Sequence, residues 1–146
     1  MATRTARTAW TGTLEKGSGQ VELSSSGIGT YTVSFPTRAS DTANGSTSPE
    51  ELVAAAHSAC YAMQLSAVIA EAGGTPESLE VSADVSLGAD PAGGFRLTGI
   101  TLKVRGEAGG MDADAFAKAV QVAKETCPVC KALTGVEITL DAALES

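Results

Sequence analysis

Four side chains in this sequence have types and spacings that could carry chemistry: Cys60, Cys127, Cys130 and the single histidine, His57. Three chemistries fit them. In the first they only pack, since free cysteine is among the most buried residue types, and an odd number of thiols speaks against a disulfide framework. In the second they bind metal: His57-x-x-Cys60 lies on one helical face and Cys127-x-x-Cys130 adds two thiols, which makes four ligands of a zinc type. In the third they are redox-active. A thiolate must then be held by a cation, and Cys60 lies too far inside a helix for the helix dipole to help. Arg38 is the candidate cation, and Glu50 could orient its guanidinium through a bidentate pair. Cys127-Pro-Val-Cys130 has thioredoxin-type spacing, but it follows a helix instead of opening one after a strand. His57 reads as a packing or hydrogen-bonding residue and not as a base. From residue types alone the three readings stay open.

The elements that must position these residues can be read from caps and periodicity. Ser48-Pro49-Glu50-Glu51 is a helix start, with a hydroxyl at the cap, proline in the first turn and Glu51 at the capping-box position. The spacing predicts a helix to about Ala72, stopped by Gly73-Gly74. Cys60 is expected on a buried stripe with Leu52, Val53, Ala56, Met63 and Ala67. Glu50 and Cys60 stand ten positions apart, about 15 Å of helical rise. A glutamate cannot span that, so if Glu50 serves a Cys60 site it does so through Arg38 or from a second subunit. Upstream, Thr8–Glu15 and Gln20–Ser24 form a hairpin around Lys16–Gly19, and Thr30–Phe35 forms a third strand ended by Pro36. Thr37–Thr47 reads as a polar loop carrying Arg38. Downstream come strands at Leu79–Leu87 and Phe95–Arg105, a helix from Asp112 to about Thr126 ended by Pro128, and a strand at Val136–Leu144. Strands and helices in this order indicate an α+β fold, and with no linker between the halves, residues 1–146 read as a single domain.

Composition narrows the partners. The chain has 146 residues, 43% of them apolar, enough for one sizeable core and too apolar for a disordered segment. Ten basic and seventeen acidic residues give a formal net charge of −7, which leaves no basic face for nucleic acid or a polybasic membrane contact. Leu52–Ala70 carries no charge and is nearly long enough to cross a bilayer. It is flanked by Glu50, Glu51 and Glu71, with no Lys or Arg anchor, so it is expected to be a core helix. The N-terminus lacks the apolar region of a secretory signal, and the expected location is the cytoplasm.

SPEELVAAAHSAC, Ser48 to Cys60, resembles the N-P-E-E-L-x-x-A-A-H-x-A-C helix of the OsmC/Ohr peroxidase family. Cys127-Pro128 is similar to that family's second cysteine, and Val136-Glu-Ile-Thr-Leu-Asp to its closing strand. Tyr31-x-x-x-Phe35-x-Thr37-Arg38, with its arginine just ahead of the long helix, resembles the OsmC (osmotically inducible protein C) branch. The resemblance implies antiparallel sheets packed around a long buried central helix in an intertwined homodimer. It implies a thiol-dependent peroxidase of the oxidative and osmotic stress response, reducing organic hydroperoxides and, more weakly, hydrogen peroxide. Cys60 then matches the peroxidatic cysteine, Cys127 the resolving cysteine, Arg38 the activating arginine and Glu50 its carboxylate partner. No metal or haem is implied. The reductant implied is a dihydrolipoyl group, on a lipoylated protein or free, or another small dithiol. The alternative is a structural zinc protein using His57, Cys60, Cys127 and Cys130. Three positions depart from the family pattern: Ser48 replaces asparagine as the cap, Ala39 replaces an aromatic residue, and Cys130 is an additional thiol.

Overall fold

The computed structural model describes residues 1–145, and its contacts divide the chain into two compact units, one running to Leu52 and the other starting at Val53. In the first unit, strands β1 (Arg7–Thr11), β2 (Ser18–Glu22) and β3 (Thr30–Val33) form an antiparallel sheet in that order. β1 ends at Thr11, short of the Glu15 expected, because the chain turns back early. Gly12 has a φ of 98°, and a side chain at Gly17 would collide with the Thr11 and Thr13 carbonyls.

The expected polar loop begins instead with a one-turn helix, α1 (Phe35–Arg38). Ser34 caps it, its Oγ accepting from the Thr37 backbone N–H at 3.4 Å, and Pro36 supplies the preset φ of a first turn. Pro36 therefore ends the strand by starting a helix, and Arg38 sits on an ordered turn. Thr47 then bridges back to Val33 before the long helix α2 (Pro49–Glu71).

At the start of α2, Ser48 Oγ accepts from the Glu51 N–H at 3.1 Å. The Glu51 carboxylate accepts from the Thr47 hydroxyl at 2.5 Å instead of reaching the Ser48 N–H, so only half of the capping box forms. The helix ends as expected at its glycines. Gly73 takes a φ of 89° and the Gly74 N–H reaches back to the Ile69 carbonyl at 3.0 Å.

The second unit holds the long hairpin β4 (Thr75–Ala89) and β5 (Phe95–Gly109), then α3 (Ala113–Thr126), α4 (Pro128–Ala132) and β6 (Ile138–Leu144). β4 and β5 are antiparallel, but β6 runs parallel to β5 from Ile100↔Ile138 onward, so this sheet is mixed. The crossover through α3 and α4 reverses the chain and makes that pairing possible. Tyr61, Leu65 and Ile69 of α2 pack into a core with Leu102 and Val104 of β5 and Phe116 of α3. Each such side chain contributes about 1.5–3 kcal/mol by leaving water.

The face of α2 that is buried is not the one expected. His57, Tyr61, Leu65, Val68 and Ile69 are buried, while Ala56 and Ala67 are exposed and Met63 is 74% exposed. The large and ring-bearing residues take the core, and the alanine-rich side is left outside. By length and composition α2 could cross a membrane, but its largest side chains fill the core of the second unit.

The Tyr61 hydroxyl donates to the Val120 carbonyl of α3 at 2.7 Å, and burial raises its pKa so that it stays protonated as the donor. Tyr61→Phe keeps the packing and removes that bond. It should lower unfolding stability by about 1 kcal/mol in urea titration, with the m-value unchanged.

Candidate active site

Two groups of functional side chains are assembled, one in each unit. In the first, Arg38 and Glu50 are locked together. The Arg38 Nε donates to both Glu50 carboxylate oxygens, at 3.0 and 3.2 Å, and Nη2 donates to Oε1 at 2.7 Å. The Glu50 side chain is only 10% exposed and that of Arg38 33%. The guanidinium answers this nearly buried carboxylate with several charge-assisted bonds. The ordered α1 turn and the first turn of α2 present the two partners to each other. Arg38 also lines a cavity of about 390 Å³ within this unit, whose walls include Trp10, Leu14, Val21, Phe35 and Leu52. The result is a cation at the edge of an apolar hollow.

The second group is the three thiols and His57. Cys60 of α2 and Cys127, between α3 and α4, have their sulfurs 3.5 Å apart. Cys127 is 0% exposed and Cys130 is buried, while Cys60 is partly exposed. Two hydrogen bonds between α2 and the α3 segment flank the sulfur pair: Tyr61 to Val120, and Gln64 Nε2 to Thr126 Oγ1 at 2.8 Å. Pro128 occupies the first turn of α4 and Cys127 is its cap residue, so the chain bends there and turns the thiol of Cys127 inward. Cys127 both ends one helix and begins another.

Burial pushes the Cys60 thiol above its ordinary pKa. The Val129 backbone N–H, bonded to the sulfur, pulls it down, and the Cys127 sulfur adds a smaller upward push. Among the described residues no cation offsets that upward push, and a reactive thiolate requires one. Cys130 is pushed up to about 12, first by burial and then by the neighbouring Cys127 and Cys60 sulfurs.

His57 and Cys130 form a contact that residue spacing did not reveal. His57 Nε2 lies 2.9 Å from Cys130 Sγ, while the buried Nδ1 has no partner. The residues are 73 positions apart, and no periodicity links them. The available signals were a lone histidine in an alanine-rich helix and an additional cysteine two residues after a proline.

The four-ligand zinc set is not assembled as expected. His57, Cys127 and Cys130 bring their ligand atoms within 4.8 Å of one another, but Cys60 falls outside that group. Three ligand atoms fall together here, short of the four of a closed tetrahedral structural zinc site.

A model of the OsmC-like protein family matches residues 42–141. The chain is 42% identical over 137 residues to Peroxiredoxin OsmC of Escherichia coli (strain K12), covering 94% of this chain and 93% of that one. It is 40% identical over 101 residues to the organic hydroperoxide resistance protein OhrA of Bacillus subtilis (strain 168), covering 66% and 67% of the two chains. The crystal structure of the organic hydroperoxide resistance protein OhrB of Bacillus subtilis is similar with a TM-score of 0.74 at 29% identity. It covers 95% of this chain and 98% of that one.

Burial lowers the pKa of His57, and this sets the sign of an acid effect. The unfolded chain takes up a proton on His57 near pH 6.5, while the folded protein resists protonation until a lower pH. The stability that neutral His57 contributes is therefore complete above about pH 6.5 and is lost as the pH falls through and below it. Urea midpoints measured between about pH 7.5 and pH 5 should fall more steeply for the native chain than for His57→Gln.

Proposed function

The chain belongs to the OsmC-like protein family, and on that premise we propose that it is a two-cysteine thiol peroxidase that reduces organic hydroperoxides, and hydrogen peroxide more weakly. The observation that carries this reading is the 3.5 Å approach of the Cys60 and Cys127 sulfurs, one partly exposed and the other buried behind it. That is the order in which a peroxide-attacking thiol and the thiol that resolves it must stand.

In the first step the Cys60 thiolate attacks the distal peroxide oxygen. The O–O bond breaks, the alkoxide leaves and takes up a proton, and Cys60 becomes a sulfenic acid. The Cys127 sulfur then displaces water from Cys60 and forms the disulfide. The short gap favours this capture over further oxidation of Cys60. An external dithiol, in this reading a dihydrolipoyl group or a small dithiol, restores both thiols. No metal or haem takes part.

Arg38, oriented by Glu50, is the cation assigned to the Cys60 thiolate and to the leaving alkoxide. Supply of that cation across a homodimer fits two observations: no cation among the described residues offsets the upward push on Cys60, and α2 leaves an uncharged face of Ala55, Ala59, Met63 and Ala67 exposed. A second copy is the natural cover for such a face. In this reading residues 1–146 act as one peroxidase domain in the cytoplasm, where the response is to oxidative and osmotic stress and dithiols keep the enzyme reduced.

Stopped-flow assays with cumene hydroperoxide test these roles. Cys60→Ser should abolish peroxide consumption. Cys127→Ser should complete one turnover and then accumulate Cys60 sulfenate. Arg38→Ala should slow peroxide attack at neutral pH by about tenfold for each unit that the thiol pKa rises. Unchanged kinetics in that variant would remove Arg38 from the mechanism, and a monomer that retains full activity at high dilution would remove the shared site.

A further inference from the structure

Cys127 is the middle sulfur of three. It lies 3.5 Å from Cys60 on one side and, with Cys130 and His57, inside a buried group whose ligand atoms are all within 4.8 Å. A peroxidase cycle built on Cys60 and Cys127 gives Cys130 and His57 nothing to do, yet these two are in direct contact at 2.9 Å. We infer that Cys130 is a third redox thiol, which takes the disulfide over from Cys60 and holds the oxidising equivalent as a Cys127–Cys130 bridge. This inference rests on the proposed roles of Cys60 and Cys127.

The exchange balances without any outside reagent. His57 Nε2 accepts the proton of the Cys130 thiol. The Cys130 sulfur attacks Cys127 in the Cys60–Cys127 disulfide, a Cys127–Cys130 bond forms, and the Cys60–Cys127 bond breaks with its electron pair leaving on Cys60. Cys60 returns as a thiolate and the number of disulfides is unchanged. The proton on His57 passes to solvent or to the regenerated thiol.

The electrostatics give the order of events. In the reduced protein Cys130 is held as a thiol by burial and by the adjacent Cys127 and Cys60 sulfurs. Once those two are joined in a disulfide, neither can carry charge, and every influence raising Cys130 except burial disappears. The first oxidation therefore removes part of what holds Cys130 as a thiol, while burial, the largest influence, remains. Cys60, the one partly exposed thiol of the three, is freed to meet a second peroxide while the bridge waits in the buried layer.

The test is titration of fully reduced protein with cumene hydroperoxide, without reductant and with dimedone present, followed by peptide mass mapping over time. The relay predicts that the native chain consumes about two equivalents per chain. The Cys60–Cys127 peptide should appear first and decay into a Cys127–Cys130 peptide, with dimedone then trapped on Cys60. Cys130→Ser, which retains a hydrogen-bonding group toward His57, should stop at about one equivalent with Cys60–Cys127 as its disulfide. A persistent Cys60–Cys127 disulfide and one equivalent in both proteins would overturn the relay and leave the peroxidase reading standing. Thiols that remain untouched would overturn both. The native time course decides the matter by itself if the variant does not fold.

Discussion

The second unit is organised around the separation of two sulfurs, and that separation is enforced by hydrogen bonds that have no part in the chemistry. Tyr61 follows Cys60 in sequence, and its buried hydroxyl must find an acceptor; it finds the Val120 carbonyl. Gln64, one turn further on, reaches Thr126, the residue before Cys127. Helix α2 can therefore neither slide nor rotate against α3 without breaking a buried polar contact. The apolar core around Leu65, Ile69, Leu102 and Phe116 supplies the stability, but apolar packing tolerates small displacements that a 3.5 Å sulfur–sulfur contact does not.

The first unit solves a different problem, that of keeping a guanidinium in one orientation. Arginine on a loop would sample many rotamers, and the charge it offered would be spread over them. Ser34 and Pro36 convert the expected loop into a capped turn, and Glu50 fastens the side chain at three donor–acceptor contacts. The same glutamate belongs to the first turn of α2, so the cap that starts the helix also places the anion. A short helix and a salt bridge thus do for the cation what two cross-helix hydrogen bonds do for the thiols.

Much of this was legible in the sequence because the signals were local. The Ser48-Pro49 start and the Gly73-Gly74 stop each depend on a few neighbouring residues, and both α2 and α3 formed close to their expected bounds. The motif around Cys60 and the proline after Cys127 also carried the likeness to a peroxidase family. Non-local facts were harder. The parallel pairing of β6 and the contact between His57 and Cys130 have no periodic signature. The buried face of α2 was misread for a physical reason: alanine is apolar enough to suit either side, so the stripe did not choose, and the bulky Tyr61, Leu65 and Ile69 did. Arg38 was read into a polar loop because residues 37–47 are rich in Ser, Thr, Asp, Asn and Gly, a composition that hides the single helical turn capped by Ser34.

The parallel alignment of β6 has a bearing on how the protein acquires its fold. β4 and β5 can zip from their own turn, but Thr139 meets Thr101 across 38 positions, and the intervening crossover must be in place before that pairing is rewarded. The crossover is also the segment that carries Cys127 and Cys130 toward Cys60. During that slower stage all three thiols belong to a chain not yet closed over them, free to join in any combination an oxidant permits. An oxidant that reaches the chain at that stage meets three thiols with no fold to choose between them.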